Sequence, residues 1–382
     1  MKWEKVAFSE LVEFTPKISL DKDELYDNIP MDVVDGGIKY VQDVNQRIYT
    51  GGGTKFGNGD TIFARITPCL ENGKIAKVKG LEKGVGFGST EFFVFRAKEN
   101  LSDPDFIYYL AKTDLVRQPA IKSMVGASGR QRADKGVVEQ IKVPNPPLPT
   151  QRKIASILSA YDDLIENNLK RIKLLEEKAF LRYKLIMREE KLEKHILSDF
   201  GDIITGKTPS TTIADYFGDD VPFIKTPDMH NQIFIEHTDQ MLSELGAKSQ
   251  EKKYLPPLSL CVSCIGTAGV VGITSKPSQT NQQINSIVFY EPKNVYFFYA
   301  LMSQMKEQLD ALGSNGSTFT NVNKSKFENM EVLIPNQKVL YEFAKGFEAP
   351  FSLILTLQKQ NTKLREARDI LLPRLMNGEI EV

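Results

Sequence analysis

Residues 145–148 read NPPL, one side chain away from a turn that does chemistry on DNA. In an Asn/Asp-Pro-Pro-aromatic turn, the Asn or Asp side chain and a backbone carbonyl hold the amino group of a flipped base, and the ring stacks on it. Upstream, GVGFG (84–88) could pass for the glycine turn that receives S-adenosylmethionine. Together they would make an amino-methyltransferase. Against this, Leu148 stands where the stacking ring belongs. GVGFG also precedes the strand-like EFFVF (91–95), rather than following a strand and opening a helix.

Other constellations are weaker. Cys261 and Cys264 form a CxxC, but a zinc site needs four ligands and no second pair exists. Their setting, LSLCVSCIGTAGVVGI, reads as a buried strand. His195, His230 and His237 have no HExxH pattern, and no nucleophile elbow is present. No Asp/Glu cluster has nuclease spacing. The expectation is a chain with no catalytic residues and no metal ligands.

The composition is that of a soluble globular protein, 41% apolar and 26% charged over 382 residues, enough for two or three domains. No run approaches a membrane span, the first residues lack a signal-peptide core, and three cysteines fit a reducing cytosol. The net charge is zero, yet residues 46–83 are locally basic, and such a face can neutralise phosphates.

The elements that position any site come in duplicate. LIENNLKRIKLLEEKAFLRYKLIM (164–187) aligns without gaps to LILTLQKQNTKLREARDILLPRLM (353–376), a shift of 189 residues. The same shift lays KVAFSEL (5–11) over KHILSDF (194–200). With small insertions, EFFVF lies over NSIVF (285–289) and GASG (126–129) over GSNG (313–316). Each unit is a β-rich domain with helices mixed in, ending on a proline signal and a long helix. Heptad-spaced seams run along both helices: Ile154, Leu158, Tyr161, Ile165, Asn168, Ile172, Leu175, Ala179, Arg182 and Ile186, then Phe343, Phe347, Pro350, Ile354, Leu357, Asn361, Leu364, Arg368, Leu371 and Leu375. Pro350 is expected to start or kink the second helix. The fold expected is α+β: domains at 1–148 and 192–336, separated by helices at 149–191 and 337–382. The helices pair as an antiparallel intramolecular coiled coil with pseudo-two-fold symmetry. Such a geometry fits duplex DNA with two half-sites.

The duplicated unit, the segment PLPTQRKIASILSAYDDLIENNLKRIKLLEE and the terminus LLPRLMNGEIEV resemble the specificity subunit of a type I restriction–modification system, along the whole chain. The resemblance implies that the two domains are target-recognition domains, each reading half of a bipartite double-stranded DNA site. It implies that the helices set the spacer and dock two modification (methyltransferase) subunits, with restriction subunits joining the assembly. It implies no cofactor on this chain, with S-adenosylmethionine, ATP and Mg2+ used by the partners, and a cytoplasmic location without membrane contact. NPPL then becomes a linker between domain and helix. The alternatives are a coiled-coil adaptor that reads no DNA and a methyltransferase in its own right.

The side chains expected to face DNA combine Arg or Lys, which take guanine, with Asn and Gln, which take adenine. In the first domain these are Arg47, Lys55, Arg65, Asn72, Lys74, Arg130, Gln131 and Arg132. In the second they are Lys225, Lys276, Gln279, Asn281, Gln282, Ser317, Thr318 and Asn321. No arginine occurs between Arg188 and Arg365, so the second half-site is expected to lean towards A·T pairs.

Overall fold

The computed structural model describes residues 3–42, 44–127, 129–313 and 320–382, with Thr320 as backbone alone. Ser317 and Thr318 lie outside the described residues. The chain packs into two units, Met1–Asn167 with Asn361–Val382, and Asn168–Gln360. The sequence limits near 148 and 337 mark the starts of the two long helices, Leu148–Glu189 and Gln337–Met376. The packing units divide inside those helices instead.

In the first unit, the run TIFA (Thr61–Ala64) is covered on both faces. Ile62 joins Ile29, Phe56, Ala76 and Val94 in one core cluster. Phe63 joins Phe8, Ile75, Phe95 and Phe106 in another, as alternating side chains of a doubly covered strand must. Its antiparallel sheet has the order Val12–Phe14, Phe92–Ala97, Thr61–Ala64, Ile75–Lys77. A second sheet has the order Asn45–Ile48, Leu25–Ile29, Val85–Gly88, Thr54–Gly57 and supplies Ile29 and Phe56 to the first cluster. The helix Pro104–Lys112 covers the other face. Asp103 caps it, accepting from the backbone N–H groups of Asp105 and Phe106 at 3.0 Å each.

The second unit repeats this plan with additions. Gly201–Thr205, Ile284–Phe289, Leu260–Ser263 and Val271–Thr274 follow one another in the order of their counterparts, and Phe234–Ile235 extends the edge. Each unit is closed by an antiparallel pair leading into its helix, Lys5–Ala7 with Lys142–Pro144 and Leu192–Ile196 with Glu331–Pro335. The apolar stretch NVYFFYALMSQMKEQL (294–309) contributes to two helices, Val295–Met302 and Lys306–Gly313.

Most seam positions are where the heptads put them. In the first unit Ile154 and Leu158 pack in one cluster with Leu372, Leu375 and Met376, Ile165 is buried, and Leu371 packs against the cluster half-buried. Asp162 meets Arg368, so here the helices run antiparallel. In the second unit Ala179, Tyr183 and Ile186 join Phe343, Phe347, Phe351 and Ile354, with Ile172 and Leu175 packed against them. Leu357, Asn168 and Asn361 are buried, and Leu364 is half-buried.

Two seam expectations need correction. Arg182 is exposed and Tyr183 takes its place, because a helix drifts against a strict seven-residue repeat. Pro350 does not start a helix: one helix runs through it from Gln337 to Met376. Proline inside a helix costs about 3 kcal/mol. Burying Phe347, Phe351 and Ile354 around it, at roughly 1.5–3 kcal/mol each, outweighs that.

Candidate nucleic-acid interface

The first domain's candidates gather at two places. Arg65 and Arg132 converge on Glu91: Arg65 Nε donates to it at 3.2 Å, and Arg132 Nε and Nη2 donate at 2.7–3.1 Å. The Arg132 hydrogen bond and charge, with those of Arg65, hold the Glu91 carboxyl below the usual carboxylate range. Arg65 also lies over the Phe93 ring. The arrangement pre-sets two guanidinium groups side by side at the surface, which lowers the entropy lost when they engage a ligand.

Next to them, the Gln131 carbonyl accepts from the Thr67 N–H and the Gln131 N–H donates to Thr67 Oγ1, which ties the Arg130–Arg132 loop to the turn that carries Asn72 and Lys74. Arg130 and Asn72 are exposed. Lys74 Nζ donates to the Met31 carbonyl at 2.8 Å, so it serves the local fold as well. Arg47 and Lys55 sit apart from this group, on the two opposite edge strands of the second sheet. Arg47 belongs to a strand whose four residues are all exposed, and the Lys55 ammonium rests over the Tyr49 ring at 5.3 Å.

The second unit disperses its candidates. Lys276 and Gln282 are exposed, and Gln282 accepts from Thr208 Oγ1 at 2.7 Å. Asn321 is exposed on a short strand paired with Ile265–Gly266. Lys225 is half-buried, its ammonium 5.9 Å from the Phe223 ring. Asn281 is turned inward and exchanges two hydrogen bonds with Gln283. Gln279 is a correction. It is fully buried, donating to the Ala247 carbonyl and accepting from Gln250 Nε2 at 2.7 Å, so its amide has partners inside the fold and faces no ligand.

The chemistry-like motifs dissolve into structure. GVGFG is a strand, Val85–Gly88, parallel to Leu25–Ile29. A Cβ on Gly88 would fall 2.1 Å from the Ile29 carbonyl oxygen, and one on Gly86 would fall 2.7 Å from that of Asp27. These glycines let two backbones touch. In NPPL, the Pro146 carbonyl accepts from Gln151 Nε2 at 2.9 Å. Gln151 also bonds the Leu101 carbonyl and the Asp103 N–H, so this buried glutamine locks the domain onto the helix. Cys261 and Cys264 lie buried at the Leu260–Ser263 strand, and burial pushes their thiols up to about 12 and about 11. His195 faces Asp199 at 3.3 Å, and among the described residues no group of three or more His, Cys, Asp or Glu has metal-binding geometry.

Sequence reasoning missed Glu91, since nothing marks a glutamate as the partner of arginines 26 and 41 residues away. It also missed Asp60, buried and held by Arg96 at 2.7 Å through both oxygens. Three exposed leucines of the central helix escaped it too: Leu174, Leu181 and Leu185, spaced seven and four apart on the face away from the seam.

A family model described as the type I restriction modification DNA specificity domain matches twice, over residues 1–177 and 189–364. The specificity subunit of the type I restriction enzyme HindI of Haemophilus influenzae is 49% identical over 190 residues, covering 49% of this chain and 41% of that one. The aligned part is thus less than half of that relative's length. The MjaIX specificity subunit of Methanocaldococcus jannaschii is 28% identical over 304 residues, covering 73% of this chain and 69% of that one. Among solved structures, the S subunit of a type I restriction–modification system from M. genitalium shares the fold, with a TM-score of 0.57 at 14% identity over 98% of this chain and 96% of that one.

Proposed function

Since the chain belongs to the family of type I restriction–modification DNA specificity domains, we propose that it is the non-catalytic subunit that reads DNA for such a system. The observation that carries this is the duplication. One strand order is built twice, once in each compact unit, and each copy is joined to the other by two long helices. A catalytic centre has little use for two diverged copies, whereas an asymmetric, bipartite DNA site needs two different readers.

In this reading, Arg65 and Arg132 on Glu91, with Arg130, Gln131 and Asn72 beside them, form the reading edge of the first domain. Arg47 and Lys55 add phosphate contacts. Lys276, Gln282 and Asn321 do the reading in the second domain, and the absence of arginine there inclines its half-site towards A·T pairs. The long helices set the spacer. The stripe Leu174, Leu181, Leu185 offers a modification subunit an apolar seam of the spacing that a helix would fill. Two such subunits would bring S-adenosylmethionine and carry out N6-adenine methylation. Restriction subunits would bring ATP and Mg2+. Among the described residues no helix is long and apolar enough to cross a membrane, and a chromosomal substrate implies the cytoplasm.

The test is co-expression with a modification subunit, followed by long-read mapping of N6-methyladenine in the host DNA. Two short half-sites around a fixed gap are the expected result. A stable complex that methylates nothing turns the chain into a scaffold, and methylation by this chain alone revives the NPPL turn.

A further inference from the structure

Buried charges are normally paired. In the first unit, three half-buried cations around one cavity of about 850 Å³ have no such partner. The cavity lies where the turns at Gly36–Gly37 and Asn72–Gly73 meet the helices Pro104–Lys112 and Asp114–Lys122 and the end of the C-terminal helix. Lys112, Arg117 and Arg365 line it, and among the described residues none of the three has a carboxylate within ion-pair distance. Lys112 Nζ donates to the Gly36 carbonyl at 2.8 Å, and Arg117 Nη2 to the Glu71 carbonyl at 3.1 Å. The Nε atoms of Arg117 and Arg365 are buried and have no hydrogen-bond partner.

The acids nearby are already engaged. Asp35 accepts from the Gly37 N–H, while Asp162 and Asp369 both accept from Arg368. Glu71 and Asp114 stand exposed at the rim. Nor is the charge inherited from the duplicated frame. At the shift of 189 residues, Arg365 corresponds to Glu176, which accepts from the Tyr299 hydroxyl at 2.5 Å, and Arg368 corresponds to Ala179. The cationic cleft therefore belongs to one copy alone.

We propose that this cleft binds a phosphate-bearing ligand whose oxygens complete the hydrogen bonding of Arg117, Arg365 and Lys112. Guanidinium forks match a tetrahedral oxyanion, and donors arriving from three elements suit its several oxygens. The volume exceeds that of a bare phosphate and is of mononucleotide size. Leu115, Pro119 and Leu372 give the remaining part of the ligand an apolar wall. Two sources share this chemistry, a free phosphorylated small molecule and a backbone phosphate of DNA.

The experiment is thermal unfolding and calorimetric titration of the full chain with inorganic phosphate, pyrophosphate and AMP, against sodium chloride at matched ionic strength. Stabilisation by the phosphates beyond chloride is expected, with affinity falling about tenfold or more in Arg117→Gln and in Arg365→Gln. Arg365→Lys keeps the charge and should lose less. Should a variant fail to fold, protection of the wild-type Lys112 amine from acylation by pyrophosphate, read by peptide mass, reports the same site. Displacement of pyrophosphate by a short non-specific duplex assigns the site to DNA, and indifference to the duplex assigns it to a free ligand. Stabilisation no greater than with chloride, or undiminished binding in a folded Arg117→Gln/Arg365→Gln double variant, overturns the proposal.

Discussion

Asp162 and Arg368 form an ion pair of 2.5 Å across the two long helices of the first unit, and their side chains are 1% and 3% exposed. Burial by itself would lower the pKa of Arg368, but Asp162 and Asp369 outweigh it and raise it. Tyr109 donates a second hydrogen bond to the same aspartate at 2.5 Å. Breaking such a pair leaves a buried charge alone, at a cost of about 3–5 kcal/mol. Arg368→Met should therefore lower the urea midpoint steeply. The double variant Asp162→Leu/Arg368→Leu should recover most of the loss, short of about 1–3 kcal/mol for the stranded Tyr109 hydroxyl.

Glu91 sets the posture of Arg65 and Arg132 without itself suiting a DNA surface. Glu91→Ala should leave the melting temperature almost unchanged. In the assembled methyltransferase it should relax the first half-site, so that mapped methylation spreads to sequences differing at one base pair. Arg132→Ala should lower methylation at all sites together with that relaxation. Because the Glu91 pKa is depressed in the folded state, its contribution is present above the ordinary carboxylate range and disappears as pH falls through the lower, folded value. Acid titration followed by NMR of the two arginine side chains would show the clamp opening only there.

Lys112 gives a pH dependence of the same sign in an alkaline window. Burial, reinforced by the positive field of Arg368, pushes its pKa down to about 8. Between that value and about 10.4 the unfolded chain holds a proton that the folded chain has released. Stability must then rise with pH across this window, by at most about 3 kcal/mol and less where water reaching the cleft screens the charge. Lys112→Met should abolish the rise, as seen in denaturation midpoints at pH 7 and pH 10. A bound phosphate should move the rise to higher pH.

Leu181 is 67% exposed and Leu174 64% exposed, so neither supports the fold. Leu181→Lys should change stability by no more than ~0.5 kcal/mol. Its retention of a modification subunit in co-purification should nevertheless drop sharply. Equal retention would move the docking face elsewhere.

What the sequence discloses here is what has a short period or a local signal. Most seam positions and EFFVF need only near neighbours to be recognised, and they stand where expected. The strand Phe217–Ile224 was invisible, because Asp219, Asp220 and Pro222 spell a turn, and only its long-range neighbours make it extended. Gln279 looked like a loop amide for the same reason, since the groups that satisfy it come from Ala247 and Gln250. The positive charges of the candidate interface could be read as residues. Their grouping on Glu91, and the unpaired trio around the cleft, arise from segments brought together by the fold and leave no trace in spacing.

The first packing unit takes its final strip, Asn361–Val382, from the far end of the chain. On the ribosome this makes the beginning of the protein wait for its end. At roughly 5–20 residues per second, about 10–40 s pass between emergence of Asn167 and of Asn361. Throughout that interval Ile154, Leu158 and Asp162 lack their partners, whereas residues 168–360 are complete as soon as Gln360 emerges. The second unit should thus mature first, although it is made later. The first half of the newborn chain, with an unmated apolar seam, is then the stretch most exposed to chaperones, to proteases and to premature pairing with another copy.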